Sequence, residues 1–127
     1  MLNQDQRDRL GNELSARYDR LLGAVRSELE GSAEPRQVEL ASRIWGDDVG
    51  IDSVGDLVLE VGTASLNRHV MELREIQDAR RRMAEGTYGA CLDCGLDIGF
   101  ERLLAWPTAT RCIDDQEAFD RSHGTVV

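Results

Sequence analysis

Three cysteines and an aspartate fall into one spacing pattern: Cys91-Leu92-Asp93-Cys94-Gly95, then Arg111-Cys112-Ile113-Asp114-Asp115. Zinc takes four ligands in a tetrahedron, and short loops bearing thiolates supply them well. A Cys-x-x-Cys turn directs two sulfurs at one ion, and Gly95 directly after it suits a tight turn with positive φ. In the second half-site, Asp115 stands where a fourth sulfur would be. A carboxylate oxygen also ligates zinc, so Cys91, Cys94, Cys112 and Asp115 form the candidate metal set. Such a set should bind less tightly than four thiolates, because zinc is borderline-soft and favours sulfur. Asp114 and His123 are the other candidates for fourth ligand.

Two other readings of the same residues stand beside the structural zinc site. The module could keep its shape without metal, through packing of Tyr88, Ile98, Leu103, Leu104 and Trp106. Cys91 and Cys94 could instead be a redox pair, although no βαβ pattern surrounds them. Three cysteines and no signal peptide argue against a disulfide framework, so a reducing cytoplasm is expected. No general base or second polar cluster accompanies the cysteines, so neither a catalytic metal nor an enzyme is expected.

The elements that must position this site are helical. Leu14, Tyr18, Leu21, Val25 and Leu29 recur at spacings of three and four, which predicts a helix from residue 4 to about 31. Gly31-Ser32 and Pro35 predict a break, with Pro35 in the first turn of the next piece. Val38, Ala41, Ile44 and Trp45 then resume helical spacing to about residue 45. Asp47, Asp48, Gly50 and Asp52 have turn chemistry, and Asp52 or Ser53 can cap the next helix. This second long helix is expected from about 53 to 85, ended by Gly86. Leu59, Leu66 and Leu73 repeat every seven residues, and so do His69, Ile76 and Met83. Together they form a heptad seam that Arg80 interrupts. His69 reads as a packed histidine, Arg80-Arg81-Arg82 as a solvated helix face, and Trp45 and Trp106 as packing residues.

Two long helices joined by a short turn must bury their stripes on each other. The expected fold is therefore mostly α: a long antiparallel helical hairpin, or coiled coil, with a small zinc-finger-like C-terminal module. The hairpin would occupy residues 1–86, with an acidic tip near 46–56, and the module with its C-terminal helix residues 87–127. The 127 residues are 31% charged and only 5% aromatic, which suits solvated helices more than a large core. No apolar run approaches the roughly 20 residues of a membrane span. A net charge of -9 and a pI near 4.6 disfavour contact with phosphate backbones. A basic protein surface is the better expectation for a partner.

Glu72 to Gln116 resembles the DksA/TraR family of bacterial regulators. The resemblance rests on Glu72-Leu73-Arg74, on Gly86-Thr87-Tyr88-Gly89 before Cys91-x-x-Cys94-Gly95, and on Ile98, Arg102-Leu103, Ala105, Pro107, Ala109 and Arg111-Cys112-Ile113. Order and spacing together are specific. The first half of the chain matches only in architecture and tip acidity. The resemblance implies a C4-type finger and direct binding to RNA polymerase without DNA binding. It further implies insertion of the hairpin tip into the secondary channel, and it raises ppGpp as a candidate effector. Asp47, Asp48, Asp52 and Asp56 are the candidate tip residues. Two departures accompany the resemblance. The family's best-studied tips have two aspartates three apart followed by alanine, whereas Asp48 and Asp52 are four apart and Ser53-Val54 follows. Asp115 also replaces a family cysteine. The competing expectation is a coiled-coil adaptor with a degenerate, metal-free finger.

Overall fold

The computed structural model describes residues 1–46 and 51–123. Among these residues the chain forms six helices: α1 Gln4–Glu30, α2 Pro35–Gly46, α3 Ile51–Val61, α4 Ala64–Glu85, α5 Phe100–Ala105 and α6 Ile113–Ser122. It divides into two compact units, Met1–Leu14 with Asp78–Val127, and Ser15–Gln77. The expected class holds: mostly helical, with an antiparallel hairpin and a small cysteine-bearing module at the C-terminal end.

A reciprocal cap starts α1. Asn3 Oδ1 accepts from the Gln6 backbone N–H at 2.7 Å, and Gln6 Oε1 accepts from the Asn3 N–H at 3.0 Å. The predicted stripe faces inward, with Leu14, Val25 and Leu29 fully buried and Tyr18 and Leu21 partly so. The helix stops at Glu30, and Pro35 opens α2, where its missing N–H costs nothing. The buried face of α2 carries Gln37, Leu40 and Ala41. Val38, read from sequence as an inward residue, is 42% exposed. It sits one position off the face that Gln37, Leu40 and Ala41 define.

The larger correction concerns the second long helix. The heptads predict one helix from 53 to 85, but the chain turns at Gly62-Thr63. Thr63 caps α4: its Oγ1 accepts from the Leu66 N–H at 3.2 Å, and its carbonyl accepts from the Asn67 N–H at 2.9 Å. Gly62 has no side chain to crowd this turn, where a Cβ would lie 2.5 Å from the Val58 carbonyl oxygen. Beyond the turn, α3 runs back alongside α4. The Arg74–Asp56 ion pair at 2.8 Å, between residues 18 apart in sequence, requires this. On one straight helix those residues would stand about 27 Å apart.

Folding back completes a core that two helices alone would leave open. Val25 and Leu29 of α1, Leu40 and Ala41 of α2, Ile51 and Val58 of α3, and Leu66, Val70 and Leu73 of α4 form one buried cluster. Each large aliphatic side chain buried in this way contributes about 2 kcal/mol. That outweighs the loss of a helical turn at Gly62-Thr63, whose residues are poor helix formers by about 1 kcal/mol or less each. The antiparallel pairing of α1 with α4 shows in two contacts. Thr63 Oγ1 donates to Glu28 Oε1 at 3.1 Å, and Arg17 lies 3.7 Å from Glu72.

In the other unit, Leu10 and Leu14 of α1 and Ala79 of α4 are buried, and Met83 Sδ lies beside Gly11. Gly86, with φ 80°, ends α4. The Thr87 N–H bonds back to the Arg82 carbonyl at 2.9 Å and the Gly86 N–H to that of Met83 at 3.3 Å, the pairing of a Schellman cap. This cap turns the chain out of α4 and into the cysteine module.

Candidate metal centre

The first half-site is built on a short antiparallel pairing. Ala90 bridges Asp97, the Cys91 N–H bonds the Leu96 carbonyl at 2.8 Å, and the Ile98 N–H bonds that of Gly89 at 2.8 Å. Gly95 turns between the two arms with φ 76°, and its N–H returns to the Cys91 carbonyl at 3.0 Å. The sequence expectation for this glycine therefore holds. Gly89 is constrained from two sides. Its φ is 92°, and a Cβ there would lie 3.1 Å from Leu2 Cδ1.

The second half-site comes to the first through α5 and the loop after it. Leu103 anchors α5 in the interior, and Tyr88 donates its hydroxyl proton to the Pro107 carbonyl at 2.7 Å. Burial pushes the Tyr88 phenol up to about 12. The Leu92 N–H bonds the Thr110 carbonyl at 2.8 Å, stitching the Cys-x-x-Cys loop to the segment before Cys112. Arg111 donates to Asp93 Oδ2 at 2.8 Å and lies 4.0 Å over the Phe119 ring. Arg102 donates to the Arg111 carbonyl at 3.0 Å and faces the Trp106 ring at 5.2 Å. Trp106, expected to pack inside, is 40% exposed and serves as a platform for that guanidinium. Tyr88, Ile98 and Leu103 are the buried members of the expected packing set.

Cys112 is the N-cap residue of α6, which places Asp115 in the first turn of the helix. A carboxylate there is favoured by the free N–H groups and dipole of the helix start. The result is one cluster. One ligand atom each from Cys91, Cys94, Cys112 and Asp115 lies within 4.8 Å of every other. The Cys91 thiol donates to Asp115 Oδ2 at 3.0 Å, and Cys94 Sγ stands 3.9 Å from Cys112 Sγ. At Zn–S bonds of about 2.3 Å, a tetrahedron has S···S edges of roughly 3.8 Å, so the separations fit a zinc ion. Cys91 is buried, Cys94 exposed and the other two are intermediate. Asp114 is exposed and outside this group. His123 also stands outside it, stacked on Phe119 at 3.9 Å with its Nδ1 beside Ser122 Oγ and the Phe119 carbonyl.

The protonation pattern describes a site that gathers acidic groups. The Asp115 carboxyl is lowered, because Cys91 first, then Cys94 and Cys112, donate hydrogen bonds to it. That carboxylate is the main reason the Cys94 thiol is pushed up to about 12. At Cys91, burial and the Asp115 carboxylate disfavour the thiolate, but backbone N–H groups of Cys94, Cys112 and Asp93 outweigh them and the thiol is lowered. A divalent cation supplies the positive charge that would let all four groups ionise together. Replacing a thiolate with a carboxylate leaves the formal charge of such a set unchanged. The softness of one ligand is what changes.

The candidate tip residues are distributed differently. Asp47 and Asp48 lie outside the described residues. Asp52 is in the first turn of α3, and its side chain is likewise outside them. Asp56 is 89% exposed and paired with Arg74. The sequence reading missed Arg74 as a partner of this region. The available signals were a glycine inside a predicted helix, Gly55, and the helix-breaking pair Gly62-Thr63.

The signature of the prokaryotic dksA/traR C4-type zinc finger matches residues 86–121. A protein of Caulobacter vibrioides named RNA polymerase-binding transcription factor DksA is 39% identical over 66 residues, which is 52% of this chain and 45% of that protein. The protein of the same name from Escherichia coli K12 is 26% identical over 102 residues, covering 78% of this chain and 66% of its own length. The match thus spans about half the length of the Caulobacter relative. Among solved structures, transcription factor DksA2 from Pseudomonas aeruginosa superposes with a TM-score of 0.65 at 26% identity, covering 96% of this chain and 88% of that one. The finger signature thus falls on the cysteine module, and the likeness of fold to DksA2 extends over nearly the whole chain.

Proposed function

We propose that this chain is a transcription regulator that binds RNA polymerase directly and is not an enzyme. It carries its acidic segment, residues 46–56, into the polymerase secondary channel to modulate initiation. The observation that carries this reading is the joint likeness to DksA proteins, in the finger at residues 86–121 and in fold over 96% of the chain. The charge of -9 supports a protein partner with a basic surface and disfavours direct DNA binding. No described helix is long and apolar enough to cross a membrane, in keeping with a role beside cytoplasmic polymerase. The acidic groups Asp47, Asp48, Asp52 and Asp56 would act electrostatically near the polymerase's basic residues. ppGpp is a candidate effector on the family resemblance alone.

Cys91, Cys94, Cys112 and Asp115 would hold zinc. When bound, the ion cross-links the Cys-x-x-Cys loop to the start of α6. The chain's own part is to hold the two half-sites in register, through Leu92–Thr110 and Arg111–Asp93. The functional division is then a hairpin, residues 1–86, that reaches the partner, and a finger, residues 87–127, that braces its base.

The test is binding of the purified protein to bacterial RNA polymerase, with a competitor that occupies the secondary channel. Wild type should bind and be displaced. The Asp48→Asn, Asp52→Asn variant should keep its helicity and lose its effect on transcription. Absence of any polymerase binding would leave a family fold reused as an adaptor.

A further inference from the structure

The helix pair α3–α4 meets at a short turn, Gly62-Thr63, whose flanking sequence is compatible with two settings. In the folded-back setting, Ile51 and Val58 rest in the cluster with Leu66, Val70 and Leu73. Gly55 is buried, and the Arg74 guanidinium lies directly over it. A Cβ at Gly55 would stand 2.5 Å from Arg74 Nη2 and 3.1 Å from both Cζ and Nε. The same guanidinium holds Asp56 at 2.8 Å. The absent side chain at Gly55 is thus what lets Arg74 clasp α3.

The same residues also encode the straight setting. The heptad series Leu59, Leu66, Leu73 runs through the turn without losing register. No proline interrupts residues 51–85, and at the turn only Gly62 and Thr63 disfavour helix. The turn itself is imperfectly satisfied. Glu28 Oε2 and Asn67 Oδ1 are buried beside it and have no hydrogen-bond partner among the described residues. Glu28 engages Thr63 through its other oxygen, at 3.1 Å, and Asn67 Oδ1 lies 3.3 Å from where a Gly62 Cβ would be. Unsatisfied buried acceptors favour any setting that returns them to water. The clasp is also weak, because Asp56 is 89% exposed and an ion pair in that position adds little.

We infer that residues 51–85 switch between the folded-back hairpin and one continuous helix, with Gly62-Thr63 as hinge and the Arg74–Asp56 contact over Gly55 as latch. The folded setting withholds α3 from the line of α4, and a partner that needs the extended helix selects the open one. This last step rests on the polymerase reading above; the switch itself belongs to the chain alone.

The experiment measures the distance between nitroxide labels at positions 57 and 75, attached through unnatural amino acids so that the native cysteines are untouched. The folded setting predicts a separation below about 20 Å, from packed helices with axes roughly 10 Å apart. The straight setting predicts roughly 27 Å between backbones, from about 18 residues of helix. Wild type should show mainly the short distance. The hinge pair Gly62→Ala, Thr63→Ala should raise the long-distance population at least several-fold, and Arg74→Gln should raise it in the same direction by less, while circular dichroism keeps its helical signal. If both variants stay helical and keep only the short distance, or if wild type already shows only the long one, the switch is overturned. Adding RNA polymerase to the labelled wild type separates the two claims. Binding with the short distance retained overturns partner selection of the open setting. Absence of binding overturns the polymerase reading and leaves the switch to be decided by the two variants.

Discussion

Gly55 and Arg74 occupy one space: the guanidinium of Arg74 lies where a side chain at Gly55 would be. Gly55→Ala should therefore have opposite tendencies. It gains about 1 kcal/mol of helix propensity in α3 and displaces Arg74 from Asp56. In the wild-type background the displacement of Arg74 should offset part of that gain. In an Arg74→Ala background the same substitution should stabilise by about 0.5–1 kcal/mol. Urea unfolding of the four proteins of this cycle measures the coupling. Strict additivity would mean that the two residues do not share space in solution.

Cys91 and Asp115 set the metal expectation. Asp115→Cys should tighten zinc binding, since a soft ligand replaces a hard one without a change in formal charge. Cys112→Ser should release the metal and lower the melting temperature. Competition against a chromophoric chelator ranks the three proteins. An equal zinc affinity for wild type and Asp115→Cys would remove Asp115 from the ligand set. Absence of zinc by elemental analysis, in protein purified without chelator, would end the metal assignment.

The thiol protons give a pH signature. Cys94 is pushed up to about 12, chiefly by the Asp115 carboxylate, so it carries its proton at neutral pH in the metal-free protein. Zinc must displace that proton. Affinity should therefore rise as pH rises and weaken as pH falls. Titration calorimetry in two buffers of different ionisation enthalpy should give different apparent heats. Identical heats would show that binding releases no proton.

Tyr88 makes an alkaline prediction with a definite sign. Its folded-state pKa of about 12 lies above the ordinary tyrosine value of about 10, because burial disfavours the phenolate. The contribution of the neutral phenol is thus fully present below pH ~10 and is lost as pH rises through about 12. Tyr88→Phe removes the bond to the Pro107 carbonyl and should cost about 1 kcal/mol at neutral pH. Its stability should also fall less steeply over that alkaline window. Urea unfolding at neutral pH and at several alkaline pH values reads both effects.

How much of this was legible in the sequence depended on whether a local rule could decide it. The finger's turn was legible because Cys-x-x-Cys-Gly admits few backbones, and Gly95 has the positive φ that its position implied. The stripe of α1 was legible because Leu14, Val25 and Leu29 recur at helical spacing and are all buried. The turn at Gly62-Thr63 was not, since the heptad series reads the same for a straight helix and for one that doubles back. Burial of Ile51 and Val58 by residues distant in sequence decides between them, and no local window contains that information. Trp106 was misread for a related reason: an aromatic ring suggests interior packing until a neighbouring guanidinium, here from Arg102, offers it a half-exposed role.

The unit that bears the metal site is assembled from two separate stretches, Met1–Leu14 and Asp78–Val127, with the Ser15–Gln77 unit between them in the chain. Bringing together the ends of so long a loop costs a few kcal/mol of chain entropy, about 4 on the logarithmic scaling. The intervening unit has its own core and can form from contacts nearer in sequence. In synthesis from the N-terminus, all of the Ser15–Gln77 unit is made before the last ligands of the finger are added. Cys91 and Cys94 arise from one local loop, but a newly made chain completes its four-ligand site only after Cys112 and Asp115 have been added to it. In this protein, capture of a metal ion would be a late event that locks an already ordered chain.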